Sequence, residues 1–270
     1  MAIKVAVAGA KGRMGTQVVQ GVLEHKRMEL VAGFDPRGMG EELAPGLKIA
    51  SPAHMEAVFK EVTPQVFVDF TNAAAAVENI KIATRHKVKL VVGTTGFSAQ
   101  QFAEIEDAVK GTVPALISPN FSIGVNVFWR LVAEAAQQLQ AYQYHMEIIE
   151  MHHALKKDAP SGTAVKAAEL IAKYTGVAGG GKPAFVYGRK GITGERTDAE
   201  IGIHAVRAGD VVGEHTVLYA GKGERLEIIH RAHSREAFAQ GALKAIEWIS
   251  GKERSGIYSM DDMMRELEQR

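Results

Sequence analysis

An apolar run, Ile3–Ala8, passes directly into Gly9-Ala10-Lys11-Gly12-Arg13-Met14-Gly15 and on into a helical pattern over Arg13–His25. In a GxxGxxG turn of this kind Gly9 permits the tight turn, Gly12 lets backbone approach a pyrophosphate, and Gly15 lets the helix lie close on its sheet. The helix start adds unpaired N–H groups and the positive end of a dipole. The spacing therefore predicts a strand–turn–helix unit that faces a dinucleotide.

The rest of the first half repeats this alternation. Glu29–Phe34, Val66–Phe70, Leu90–Val92 and Ala115–Ser118 read as strands, with helical patterns at Ala73–His86 and Ser98–Val109 between them. Apolar strands alternating with helices imply a parallel sheet covered on both faces. Past Phe121 the pattern changes to a long helix (Val125–Gln140), a strand (Glu147–Met151) and a helix (Thr163–Tyr174). A stretch containing Gly179–Gly181, Gly188, Gly191 and Gly194 reads as a flexible loop. Strand patterns follow at Gly202–Arg207, Glu214–Tyr219 and Arg225–His230, the last two joined by a hairpin signal over Ala220–Glu224. Arg235–Ile249 reads as a helix with Ser234 as its N-cap. The expected fold class is α/β: a parallel-sheet domain plus a second, mixed α+β domain.

Composition narrows the function classes. A net charge of +1 with 23% charged residues gives no electrostatic case for nucleic acid or a membrane surface. No apolar run reaches the length of a spanning helix, and the sequence enters a strand pattern at once, at Met1-Ala2-Ile3-Lys4. The absence of cysteine removes disulfides, thiolate nucleophiles, iron–sulfur clusters and cysteine-based zinc sites together. A cytoplasmic location is the default expectation.

Asp35 stands about 20 residues beyond the glycine turn at the end of the second strand, the expected place for a ribose hydroxyl ligand. Lys11, Arg13 and Arg37 lie where a 2′-phosphate would sit, so NADH and NADPH both remain open. Gly93-Thr94-Thr95-Gly96 and Ser118-Pro119-Asn120-Phe121 follow later strands on the same sheet edge, where ligands of open α/β sheets bind. Both are expected to receive the nicotinamide end, with Phe121 offering a flat ring.

Residues 147–164 bring two adjacent histidines, two lysines, an aspartate and a Pro-Ser-Gly-Thr helix start into one connection. Adjacent histidines seldom aim at one ion and the HxxxH spacing is missing, so no metal is expected. Ser161 suits an N-cap, the N–H groups of Gly162 and Thr163 would point at a carboxylate, and Lys156 adds a full charge. A histidine there can act as an acid near neutral pH. An anion clamp, a proton donor and a nucleotide site together point to reduction of a small unsaturated acid. Two rivals are a different pyridine-nucleotide enzyme with an inserted domain and a non-catalytic redox sensor.

Two segments, Gly9-Ala10-Lys11-Gly12-Arg13-Met14-Gly15 and Glu150-Met151-His152-His153-Ala154-Leu155-Lys156-Lys157-Asp158-Ala159-Pro160-Ser161-Gly162-Thr163-Ala164, make the chain resemble the dihydrodipicolinate reductase (4-hydroxy-tetrahydrodipicolinate reductase) family. Gly93–Gly96, Asn120–Asn126 and Arg207–His215 extend the resemblance over essentially the whole chain; Ala178–Asp198 is the least anchored part. The resemblance implies a Rossmann-like cofactor domain (1–122 and 234–270) and an inserted substrate and tetramerisation domain (123–233). It implies NAD(P)H-dependent reduction of a cyclic dicarboxylate in lysine biosynthesis by a homotetramer. It also implies that His152 and Lys156 handle the proton, in either order, while His153, Lys156, Gly162 and Thr163 hold the carboxylates. Residues 178–198 are expected either to cover the site or to form a surface excursion.

Overall fold

The computed structural model describes residues 2–174 and 184–269. In chain order the first part runs β1 (Ile3–Ala8), α1 (Arg13–Glu24), β2 (Met28–Phe34), β3 (Glu42–Ala44), β4 (Leu47–Ala50), α2 (Met55–Val62), β5 (Val66–Asp69), α3 (Ala73–Arg85), β6 (Lys89–Val92), α4 (Ala99–Val109) and β7 (Pro114–Ile117). Then come α5 (Ile123–Leu139), β8 (His145–His152), α6 (Gly162–Ala172), β9 (Ala184–Tyr187), β10 (Glu200–Arg207), β11 (Gly213–Gly221) and β12 (Glu224–Ala232). The chain ends with α7 (Glu236–Ser250), β13 (Gly256–Tyr258) and α8 (Met260–Glu268). It divides into two compact units, Met1–Ile123 with Arg235–Arg270, and Gly124–Ser234.

In the first unit the strands form one sheet in the order β13-β7-β6-β5-β1-β2-β4-β3, parallel except for the β3–β4 hairpin. β1 is flanked by β2 on one side and β5 on the other, so strand order reverses there and a crevice opens at the strands' carboxyl ends. Helix α1 buries Gly15, Val18, Val19 and Val22, the i, i+3, i+4, i+7 stripe of a sheet-covering helix. Asn72 caps α3 and a Ser98–Gln101 capping box starts α4. After its excursion the chain returns through α7 and α8, whose Leu243, Ile246, Trp248 and Met263 share a core with Val5, Val18 and Val68.

The second unit is a five-stranded sheet in the order β12-β11-β8-β10-β9. β10 runs parallel to β8 and β9, while β11 runs antiparallel to β8 and β12. α5 and α6 contribute Phe128, Trp129, Val132, Ala164, Ala168 and Ile171 to a core with Ile148, Ile203, Val217 and Tyr219. The Tyr219 hydroxyl donates to the Val132 carbonyl at 2.6 Å, and the Trp129 indole N–H to the Thr163 carbonyl at 3.1 Å, which lock both helices.

Three features differ from the sequence reading. Helix α7 is capped at Arg235, not Ser234, and without a side-chain bond; the first helical amides return to the Arg235 carbonyl, so Ser234 stands one residue too early. The Gly-rich stretch contains strand β9, paired with β10; Gly179–Gly181 lie outside the described residues. Beyond β9 the chain is tied down, because Glu147 accepts from Arg189, Arg196 and His204. Gly202 makes room for this carboxylate, since a Cβ there would stand 1.8 Å from Glu147 Oε2. The β3–β4 hairpin, α2, β13 and α8 had no counterpart in the sequence reading.

The return of α7 depends on Gly241, where a Cβ would fall 1.7 Å from the Phe121 carbonyl oxygen. Gly241→Ala is expected to destabilise the protein by about 1–3 kcal/mol, the usual cost of overpacking. Chemical denaturation reads this directly, and an unchanged midpoint would refute the close fit.

Candidate active site

Period-two alternation along β8 sends Met146, Ile148, Glu150 and His152 to the buried face. Cross-strand register then sets Glu150 beside His215 of β11 and His215 beside His230 of β12. His152 pairs with Arg207 of β10. An apolar face thus becomes polar over its last two rows.

Glu150 is completely buried. Its Oε2 accepts from His152 Nδ1 at 2.6 Å and Arg207 Nη1 at 2.9 Å. Its Oε1 accepts from Arg207 Nη2 at 2.8 Å and the Ser161 amide at 2.9 Å. Burial alone would raise this carboxyl, but the bonds from His152, Arg207 and Ser161 outweigh it and hold the group at about 2. Arg207 also donates to the Asp158 carbonyl at 2.6 Å. The amides of Ala208 and Ala154 bond to the carbonyls of His152 and Gly209, so the end of β10 runs alongside the loop.

In the loop, Lys156 is half-buried and its ammonium donates to both oxygens of Asp158 at 2.9 and 2.8 Å. Ser161 caps α6, its hydroxyl accepting from the Ala164 amide at 3.2 Å. Gly162 and Thr163 are the first two residues of that helix, at the positive end of its dipole. The Ser161 hydroxyl also lies 3.0 Å from His215 Nε2. Burial, and then the neighbouring His152, push His215 down from 6.5 to about 3.

At the first unit's strand ends, Gly9 takes φ +75°. A Cβ on Gly15 would lie 1.9 Å from the Gly9 carbonyl oxygen, so only glycine lets α1 start this close to the turn. The amides of Gly9 and Ala10 bond to the Phe34 carbonyl and that of Gly12 to the Gly9 carbonyl. The Lys11 amide donates to Asp35 Oδ2 at 3.0 Å. Arg13, Met14 and Gly15 open α1, where amides have no intrahelical acceptor. These features fit a dinucleotide pyrophosphate.

Residues 3–121 match the family described as dihydrodipicolinate reductase, N-terminus, and residues 124–264 the one described as its C-terminus. The chain belongs to the dihydrodipicolinate reductase family. It is 48% identical to the 4-hydroxy-tetrahydrodipicolinate reductase of Methanocaldococcus jannaschii over 97% of both chains. The enzyme of the same name from Methanosarcina barkeri is also 48% identical, over 97% of this chain and 99% of that one. A solved structure, the dipicolinate-bound dihydrodipicolinate reductase from Paenisporosarcina sp., is similar at TM-score 0.76 and 29% identity, with 96% of this chain and 98% of that one covered.

The structure assigns several of the expected site residues a further task within the chain. Asp35 is 2% exposed and also accepts from the Arg37 amide at 2.9 Å, so it shapes the glycine turn. Lys11 pairs with Glu41, while Arg13 and Arg37 are exposed. The Thr94 hydroxyl donates to Asp69 at 2.7 Å, and the Ser118 hydroxyl to the Asn120 carbonyl at 2.8 Å. Thr95 and Pro119 are exposed, and Gly93 is half-buried. Phe121 departs from expectation: it is 2% exposed and its ring packs against that of Phe70 in an edge-type contact at 5.7 Å, so the ring belongs to the core. His153, half-buried, directly follows His152.

Glu150, Arg207, His215 and Asp69 had no role in the sequence reading. The first was detectable, because alternation places an acid at residue 150 on a buried face. Asp69 is wholly buried and accepts from Thr71, Asn79 and Thr94, joining the loops after β5 and β6. Among the described residues no group of three or more histidine, aspartate or glutamate side chains is placed to hold a metal ion.

The unfolded chain protonates His215 near 6.5, whereas the native state resists down to about 3. The native state therefore binds fewer protons in this window, and its stability falls as pH drops below 6.5. The thermal midpoint is expected to fall between pH 6.5 and about 5.5, above the range in which Glu150 titrates even in the unfolded chain, and His215→Gln to reduce that slope. Equal slopes in the two proteins would refute the assignment.

Proposed function

We propose that this chain is an NAD(P)H-dependent 4-hydroxy-tetrahydrodipicolinate reductase, which forms tetrahydrodipicolinate in lysine biosynthesis. The observation that carries the reading is one loop of the second unit, in which His152, His153 and Lys156 lead into the capped N-terminus of α6. A cyclic dicarboxylate asks for that combination of cations, helix dipole and proton donor.

When bound, the nicotinamide supplies a hydride to the substrate ring. The first-turn amides of Arg13 and Met14 hold the pyrophosphate, and Asp35, with Lys11 and Arg37 beside it, meets the adenosine ribose. The Gly93–Thr95 and Ser118–Phe121 loops hold the nicotinamide end, with Phe121 contributing backbone. Gly162, Thr163, His153 and Lys156 hold the substrate carboxylates; the Lys156 ammonium, carried by Asp158, is shared with or passed to a substrate carboxylate. His152 and Lys156 are the proton-bearing groups, and the geometry of Glu150 favours His152 for the transfer, since it leaves Nε2 as the exchanging nitrogen.

We further infer a homotetramer acting in the cytoplasm. The second unit's sheet leaves Ile149 and Ile229 each 42% exposed on the face away from α5 and α6, flanking Thr216 in one cross-strand row. Uncovered apolar rows of this kind suit burial against further copies. No helix among the described residues is long and apolar enough to cross a membrane.

With substrate generated enzymatically from pyruvate and aspartate semialdehyde, oxidation of NADH or NADPH is expected; absence of both would refute the function. Lys156→Ala and His152→Ala are each expected to lower kcat by roughly 100-fold or more, the scale of general acid catalysis. Near-normal turnover in either would remove that residue's role.

A further inference from the structure

We propose that Glu150 is a positioning residue for this reduction: its carboxylate sets the tautomer and orientation of the His152 ring, and Arg207 fixes the carboxylate. The inference rests on the proposed role of His152 and on the geometry around it.

An ionised carboxylate offers about four acceptor positions, and Glu150 uses all of them, on His152, twice on Arg207, and on the Ser161 amide. It has no freedom to turn. A carboxylate only accepts, so the ring nitrogen 2.6 Å away must carry its hydrogen. Nδ1 therefore keeps its proton throughout, and the nitrogen that exchanges one is Nε2. That nitrogen lies beside Gly213, where a Cβ would stand 3.0 Å away; β11 leaves space there because residue 213 has no side chain. The remaining neighbours suit the arrangement. His215, with its ring centroid 5.2 Å from that of His152, is held neutral by burial and adds no competing charge. Arg207 balances a carboxylate charge that the interior could not otherwise hold. The Ser161 amide bonds to the other oxygen, and Glu150→Gln would still offer it an acceptor, so that substitution tests the His152 side alone.

Glu150→Gln in the full-length protein removes the charge and keeps the size. We expect KM for NADH and for substrate to stay within about threefold, and kcat to fall by about 10- to 100-fold, within the range of general acid catalysis. The deciding measurement adds Glu150→Gln to His152→Ala. A residue acting only through His152 causes no further loss there, so the double variant is expected to match His152→Ala within about twofold. An additive loss overturns the proposal, because it would place Glu150 in general support of the fold or the clamp. Normal kcat in Glu150→Gln, with His152→Ala slow, also overturns it. Normal turnover in His152→Ala is a separate result that removes the role of His152 and the proposal with it. If Glu150→Gln does not accumulate as folded protein, Glu150→Asp carries the same test. It keeps a charge for Arg207, shortens the reach to His152 by one methylene, and is expected to show the same pattern.

Discussion

An ionised carboxylate out of reach of water is tolerated only when its lone pairs find donors, and Glu150 finds four on three different elements. β8 carries the carboxylate and His152, β10 carries Arg207, and Ser161 brings the start of α6. Removing one partner of such a buried pair typically costs about 3–5 kcal/mol, since the other charge is stranded. The second unit's loop therefore cannot rearrange without disturbing its sheet. The rigidity falls at the end of the strand that presents His152.

The first unit uses the same device in milder form. Asp35 at the end of β2 accepts the Lys11 and Arg37 amides, and Asp69 at the end of β5 gathers Thr71, Asn79 and Thr94. Both sit at carboxyl ends of parallel strands, where connecting loops leave backbone donors to satisfy. Each acid converts a loop of mostly small residues into a defined surface around the crevice beside β1. In the proposed function, cofactor binding falls to first-turn helix amides and to the surfaces these acids shape. Phe121, expected at that surface, is instead buried in the core with Phe70 and beneath Gly241 of α7.

Elements with a repeated pattern were legible in advance. β1, α1, α3, α4, the β11–β12 hairpin and the Ser161 cap all follow from spacing alone, because each satisfies its own periodicity or backbone need locally. The three-residue strand β13 and the short β9 were not legible. Each exists only because β7 or β10 offers an open edge to pair with. Ser234 misled because a good capping residue one position early is indistinguishable in sequence from one that caps.

By itself the sequence determined which residue types meet: the glycine turn against a helix start, and two histidines and a lysine before a capped helix. Those are near-neighbour facts, held by covalent connection and short-range hydrogen bonding. Only the tertiary structure decided which distant side chains hold these residues in place. Arg207 and Glu150 are 57 positions apart, and no local rule links them; the parallel pairing of β10 with β8 does. That pairing makes Glu150 an ionised, immobile acceptor and engages one ring nitrogen of His152, Nδ1. Long-range strand register, set by burying the apolar rows beneath, is the physical reason.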